Sequence, residues 1–206
     1  MKILITGGSG MVGKNLVHFF NKNTNHKLFY PTSSDLNLLD NIAVKHYFKL
    51  KKPDAIIHCA GLVGGIQANI KYPYSFLSRN LIMGSNVIEA AIANNIEKLI
   101  NLGSSCMYPK DLDRELEEED ILTGVLEPTN EGYAIAKITV AKLCEYAKKE
   151  FNFDYKTIIP CNLYGMWDKF DPENSHMIPA VIRKIHLAKI SEENAEIWGD
   201  GTSRRE

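Results

Sequence analysis

The chain has 206 residues, 45% hydrophobic and 24% charged, enough to bury the core of one generous domain or two small ones. A formal net charge of -1 with the signs mixed along the chain leaves no basic stripe, which argues against nucleic acid or an anionic membrane surface as partner. Cys59, Cys106, Cys144 and Cys161 form no Cys-x-x-Cys pair and have no histidine at zinc spacing, so neither a disulfide framework nor a metal site is expected. No apolar run reaches the roughly 20 residues of a membrane span, and a cytoplasmic protein with a small polar ligand is expected.

Ile3-Leu4-Ile5 is a short continuous apolar run, as in a strand covered on both faces, and it leads into Gly7-Gly8-Ser9-Gly10-Met11-Val12-Gly13. Val12, Leu16, Val17 and Phe20 recur at helical spacing, so the glycines sit at a strand-to-helix turn. Free N–H groups and the helix dipole there can hold a pyrophosphate. The spacing Gly7-x-x-Gly10-x-x-Gly13 serves a tight turn, close approach of a diphosphate and close packing of helix on strand. Lys27 to Tyr30 is a predicted second strand. Where an NAD-type site places an acid on the ribose, this chain has Thr32-Ser33-Ser34 before Asp35, which leans the expectation toward NADP.

Asp40 is expected to cap a helix carrying Val44, Tyr47, Phe48 and Leu50, with adenine contact as the alternative. Ala55 to Ala60 reads as a third strand in which His58 is a satisfied core histidine, and Gly61 to Ile66 as a flexible loop at the ligand edge. A long helix is predicted over Tyr74 to Asn94 and a fourth strand over Lys98 to Leu102, delivering Gly103-Ser104-Ser105-Cys106. The acidic stretch Asp111 to Asp120 reads as a solvated surface loop. Another helix runs to Phe151 and a fifth strand covers Tyr155 to Pro160. Strands alternating with helices predict an α/β fold, a Rossmann-like doubly wound parallel sheet.

Tyr133 and Lys137, four residues apart at the start of the helix that ends near Phe151, share one helix face. An ammonium beside a phenol favours the phenolate, so a pKa ordinarily about 10 is expected to fall until the phenol exchanges protons near neutral pH. A half-buried tyrosine and a solvated lysine is the plain alternative.

Together, Gly7-x-x-Gly10-x-x-Gly13, Ser104, Tyr133-x-x-x-Lys137 and Pro160-Cys161-Asn162-Leu163-Tyr164-Gly165 resemble the extended short-chain dehydrogenase/reductases of nucleotide-sugar metabolism. Val63-Gly64-Gly65-Ile66, Leu102 to Cys106, Glu127 to Glu131, Asn174-Ser175-His176 and Trp198-Gly199 are similar to the GDP-L-fucose synthase group within them. The resemblance implies 3,5-epimerisation and 4-keto reduction of a GDP-4-keto-6-deoxy sugar with NADPH, by a homodimer. It implies Cys106 as base and His176 as acid, Ser104 on the C4 oxygen, Tyr133 as proton donor, and Lys137 on the nicotinamide ribose. Implied cofactor contacts are Gly7, Gly8, Ser9, Gly10, Met11, Val12, Gly13, Leu102, Gly103, Ser104, Ser105, Lys137, Pro160, Cys161, Asn162, Leu163 and His176. Lys184, Trp198 and Arg205 are the implied GDP-sugar contacts.

Three departures accompany this likeness. Gly165-Met166-Trp167-Asp168-Lys169-Phe170 stands where the group has Gly-Pro-His-Asp-Asn-Phe, so a related sugar such as a GDP-heptose, with C4 reduction alone, is an alternative. Lys184 replaces an arginine, keeping charge but losing the bidentate fork. The chain stops at Arg204-Arg205-Glu206 inside a family motif, so a nucleotide-binding domain at 1–165 and an incomplete substrate-binding region at 166–206 are expected. A non-catalytic nucleotide-binding protein is the remaining alternative.

Overall fold

The computed structural model describes residues 1–171, 175–197 and 201. Five strands, β1 (Lys2–Thr6), β2 (Lys27–Phe29), β3 (Ala55–His58), β4 (Lys98–Leu102) and β5 (Asp154–Ile158), form one parallel sheet in the order β2-β1-β3-β4-β5. The helices are α1 (Met11–Asn23), α2 (Asn41–Lys51), α3 (Ile66–Lys71), α4 (Pro73–Ala93), α5 (Glu131–Phe151) and α6 (Met177–Ser191). The crossover from β1 to β2 runs one way along the sheet and all later ones run the other way. Right-handed crossovers therefore put α1 on one face and α2, α4 and α5 on the opposite one. The order reverses between β1 and β3, and ligands bind at the carboxyl edge of such a switch point.

Register explains the core. Leu4, Ile56, Leu99 and Tyr155 are paired across four strands, all at most 5% exposed, and meet Val44, Phe48, Val87 and Val140 from α2, α4 and α5. α4 lies along both α2 and α5. Asp40 caps α2 as expected, its Oδ1 accepting from the N–H groups of Ile42 and Ala43 at 3.0 Å each.

The structure departs from the sequence reading in several places. Ile66, expected at the end of a flexible loop, begins the short helix α3. β3 ends at His58 and β5 at Ile158, two residues early in each case, because the following residues leave the ladder at the ligand edge. The helix α6 is an additional element beyond those predicted from the sequence.

The acidic stretch departs as well. Asp120 is only 4% exposed, and its carboxylate accepts from Arg114 at Nη1 (2.9 Å), from Arg114 at Nη2 and from the Glu117 backbone N–H (2.8 Å). The Glu117 N–H and Arg114 hold its pKa below the usual carboxylate range. The unfolded carboxyl titrates at about 3.9, so this stabilisation is fully present above that pH and is lost as pH falls through the lower folded value. Asp120→Asn is expected to lower the denaturant midpoint at pH 7 and to flatten the loss of stability below pH ~4, measured by urea melts across pH.

Candidate active site

The glycine turn forms the floor of the site. Gly7 has φ +71, a left-handed conformation that glycine adopts without steric penalty, and Gly10 N–H donates to Gly7 O at 2.9 Å. A Cβ on Gly13 would lie 2.2 Å from Gly7 O and 2.6 Å from Gly8 Cα, so α1 presses directly on the turn. Gly10 is the N-cap of α1, and among the described residues no side chain bonds the first-turn N–H groups. A Cβ on Gly10 would approach only Gly7 O, at 3.3 Å, which leaves the outer side of the turn open. This cradle fits a nucleotide diphosphate, because unpaired N–H groups and the positive end of a 13-residue helix converge where no side chain stands.

After β2, Asp35 Oδ2 accepts from Thr32 N–H (2.9 Å) and Thr32 Oγ1 (2.7 Å), bonds that hold its carboxyl below the ordinary range. That carboxylate is occupied within its own turn, and Ser33 and Ser34 stand exposed beside it.

Ser104, Cys106, Tyr133 and Lys137 come together at the carboxyl end of β4. Gly103 N–H donates to Ile158 O (2.8 Å) and Met107 N–H to Ser104 O (3.0 Å), which fix the bend that turns Ser104 and Cys106 toward α5. The Ser104 hydroxyl lies near both the Tyr133 phenol and the Cys106 thiol and lowers the pKa of each. It has one proton, so it can donate to only one of them at a time. Lys137 is 7% exposed, donates to Leu102 O at 2.7 Å, and holds Nζ 5.7 Å from the Tyr133 ring centroid.

Burial decides the protonation states. It pushes Tyr133 above the ordinary phenol range, helped by Cys106 and opposed only by the Ser104 hydroxyl. The expectation of a depressed phenol pKa is therefore reversed: with the phenol desolvated and the ammonium bonded to Leu102 O, the neutral form prevails. Burial also pushes the Cys106 thiol up, against the smaller effects of Ser104 and Lys137, and lifts Cys59 to about 12. Lys137 is drawn below the usual lysine range by the same desolvation. All four results follow from one cause, the cost of charge in a site sheltered from water.

The other predicted residues are spread more widely. Pro160, Cys161, Asn162 and Leu163 follow β5 at the carboxyl edge, with Cys161, Asn162 and Leu163 exposed. His176 is exposed as the N-cap of α6, and among the described residues no hydrogen bond or ring contact joins it to Tyr133. Lys184 lies on α6. Trp198, Arg205 and Asn174 lie outside the described residues. The unusual segment after Gly165 folds back on α1, with Asn15 Nδ2 donating to Met166 O at 3.0 Å and His18 meeting Trp167 edge-on at 5.7 Å.

Sequence reasoning missed Asn80, 5% exposed on α4. Its Oδ1 accepts from Leu62 N–H (2.8 Å) and its Nδ2 donates to Leu62 O (3.1 Å) and Phe76 O (2.7 Å), clamping the loop after β3. The signal was an asparagine four residues after Phe76 on an otherwise apolar helix face. Beside this loop lies a cavity of about 520 Å³, lined in part by Leu62, Val63, Phe76, Arg79 and Lys169. Phe76 separates it from Tyr133, the two rings meeting edge-on at 6.3 Å.

The model of the NAD dependent epimerase/dehydratase family matches residues 3–206. The chain belongs to that family. A family member from Yersinia pseudotuberculosis, GDP-L-colitose synthase, is 58% identical over all of this chain and 67% of its own length. GDP-L-fucose synthase of Azorhizobium caulinodans is 50% identical over all of this chain and 66% of its own length. Among solved structures of the family, the GDP-mannoheptose C4 reductase MlghC from Campylobacter jejuni, with NADP bound, superposes with a TM-score of 0.85 at 35% identity. That match covers 92% of this chain and 56% of the reductase. The chain thus spans about two thirds of the length of these curated relatives.

Proposed function

We propose that the protein is an NADPH-dependent oxidoreductase of GDP-4-keto-6-deoxy sugars that also epimerises C3 and C5. The observation that carries this reading is the cluster of half-buried Ser104 and Tyr133 with buried Lys137, beside a diphosphate cradle at the sheet's switch point. When bound, NADPH would supply the hydride for C4 of the sugar. The protein's part is to hold the C4 oxygen on Ser104, deliver the Tyr133 proton to it, and keep Lys137 as the local cation that offsets developing negative charge. Relatives named for GDP-fucose, GDP-colitose and GDP-heptose chemistry support a GDP-sugar as substrate.

In this reading the glycine turn, Leu102 to Ser105 and Pro160 to Leu163 contact the cofactor, and Lys184, Trp198 and Arg205 contact the GDP-sugar. Residues 1–165 form the nucleotide-binding domain and residues from 166 begin the substrate region. Epimerisation assigns Cys106 as base and His176 as acid on opposite faces of the ring. The outer faces of α4 and α5, which expose Ile82, Ile135 and Tyr146, form the seam of a homodimer, with light scattering as its test.

A second reading, C4 reduction without epimerisation, is favoured by the Cys106 thiol, which burial holds protonated when a base is needed. Turnover in deuterated water separates the two. The first reading expects deuterium at C3 and C5 of the product, lost in Cys106→Ser and His176→Gln while reduction continues. Its absence in the unaltered protein supports reduction alone. Unchanged deuterium uptake in both variants would sink the role assignments, and NADPH binding without oxidation would place the chain among non-catalytic nucleotide binders.

A further inference from the structure

Two residues above the apolar row Leu4–Ile56–Leu99–Tyr155, the same four strands carry a polar row, Thr6, His58, Asn101 and Thr157, in register on the same face. Thr6, His58 and Asn101 are 1%, 3% and 0% exposed. This is unusual material for the centre of a parallel sheet, where buried polar groups persist when their bonds are made. Thr6 Oγ1 and His58 Nδ1 are 2.7 Å apart, and Asn101 Nδ2 donates to Thr157 Oγ1 at 3.2 Å.

The position of the Thr6–His58 bond is the informative part. It spans β1 and β3, the two strands between which the sheet order reverses. Cys59 N–H donating to Thr6 O at 3.1 Å is the last backbone rung between them. Immediately beyond, Gly7 enters its left-handed turn and packs on the chain after His58, since a Cβ there would lie 2.6 Å from Ala60 N. The side-chain bond therefore sits under the place where both chains leave the sheet to make the cradle. Burial and nearby Lys137 lower the His58 pKa to about 3, which keeps the ring neutral beside that ammonium.

We propose that His58 is a positioning residue for the cofactor turn: bonded to the Thr6 hydroxyl, it locks the end of β1 to the end of β3 and so sets the geometry of the Gly7–Gly10 cradle. The inference rests on the nucleotide-binding reading above. His58 does not touch the nucleotide; it acts through Gly7 and Ala60.

The test uses the whole chain with NADPH as probe and fluorescence titration as readout, alongside urea melts that verify folding. Thr6→Val, which keeps shape and removes the hydroxyl, and His58→Leu are each expected to weaken NADPH binding about 5-fold, the equivalent of one net hydrogen bond of ~1 kcal/mol. The double variant is expected to bind no worse than either single one, because both remove the same bond. His58→Asn, whose amide can reach the place of Nδ1, is expected to recover most of the affinity. Folded single variants that bind NADPH as the unaltered protein does, or losses that add in the double variant, would overturn the proposal. Should the unaltered protein fail to bind NADPH, the nucleotide reading falls. Amide exchange at Gly10, whose N–H is bonded to Gly7 O, then decides separately: acceleration in Thr6→Val relative to the central strands supports the lock, and equal rates refute it.

Discussion

Replacing Tyr133 by phenylalanine is expected to lower reduction of the keto sugar by about 10³-fold, within the range that general acid catalysis contributes. NADPH affinity is expected to stay within about two-fold, because the variant removes one hydroxyl from a ring whose packing against Phe76 is kept. The phenol neighbours Ser104 and lies four residues from Lys137, so it stands where a carbonyl oxygen held by Ser104 would need a proton. Its pKa is raised, mainly by burial.

The sign of the pH dependence follows from that shift. A general acid works in its protonated form, present below its pKa, and a value above the ordinary phenol range of about 10 keeps Tyr133 protonated throughout neutral pH. Reduction is therefore expected to show no loss from phenol ionisation between pH 6 and ~9. A fall in kcat with an apparent pKa near 7 that disappears in Tyr133→Phe would contradict this assignment. Single-turnover reduction, followed by NADPH absorbance, separates the chemical step from product release.

The second large effect is a contrast between two glycines of one turn. Gly13→Ala is expected both to destabilise the protein by about 1–3 kcal/mol, as overpacking does, and to abolish measurable NADPH binding. Its new methyl group would lie 2.2 Å from a backbone oxygen and 2.6 Å from a backbone carbon, neither of which can swing aside as a side chain tip could. Gly10→Ala should leave the urea midpoint nearly unchanged, since its methyl meets one atom at 3.3 Å and its φ of -79 is open to any residue. Yet that methyl points where the diphosphate must approach, so NADPH binding is expected to weaken by at least about 100-fold, comparable to losing two charge-assisted hydrogen bonds. Gly10→Ala with unaltered affinity would remove the turn from the binding site.

The sequence alone was enough to read the five strands and the helices α1, α2, α4 and α5, the parallel sheet, the glycine turn and the Tyr133–Lys137 face. These depend on local patterns: apolar runs for strands buried on both faces, a 3.6-residue period for helices, and glycine where a Cβ would collide. The capping role of Asp40 was equally local. Family likeness then supplied Ser104 and Cys106, whose approach to Tyr133 spans nearly 30 positions and has no periodic signature.

Tertiary structure decided the properties that depend on what surrounds a group. Spacing suggested that Lys137 would depress the Tyr133 pKa, but desolvation outweighs that attraction, and only the fold shows how dry the site is. Composition made Asp120 one acid among many; the turn that aims Arg114 and the Glu117 N–H at it makes it a buried anchor. His58 was legible as a core histidine, while its partner Thr6, 52 positions away, was set by strand register. Residue types and periods are written along the chain. The local dielectric, and the partner of each buried polar group, exist only once distant strands have been brought side by side.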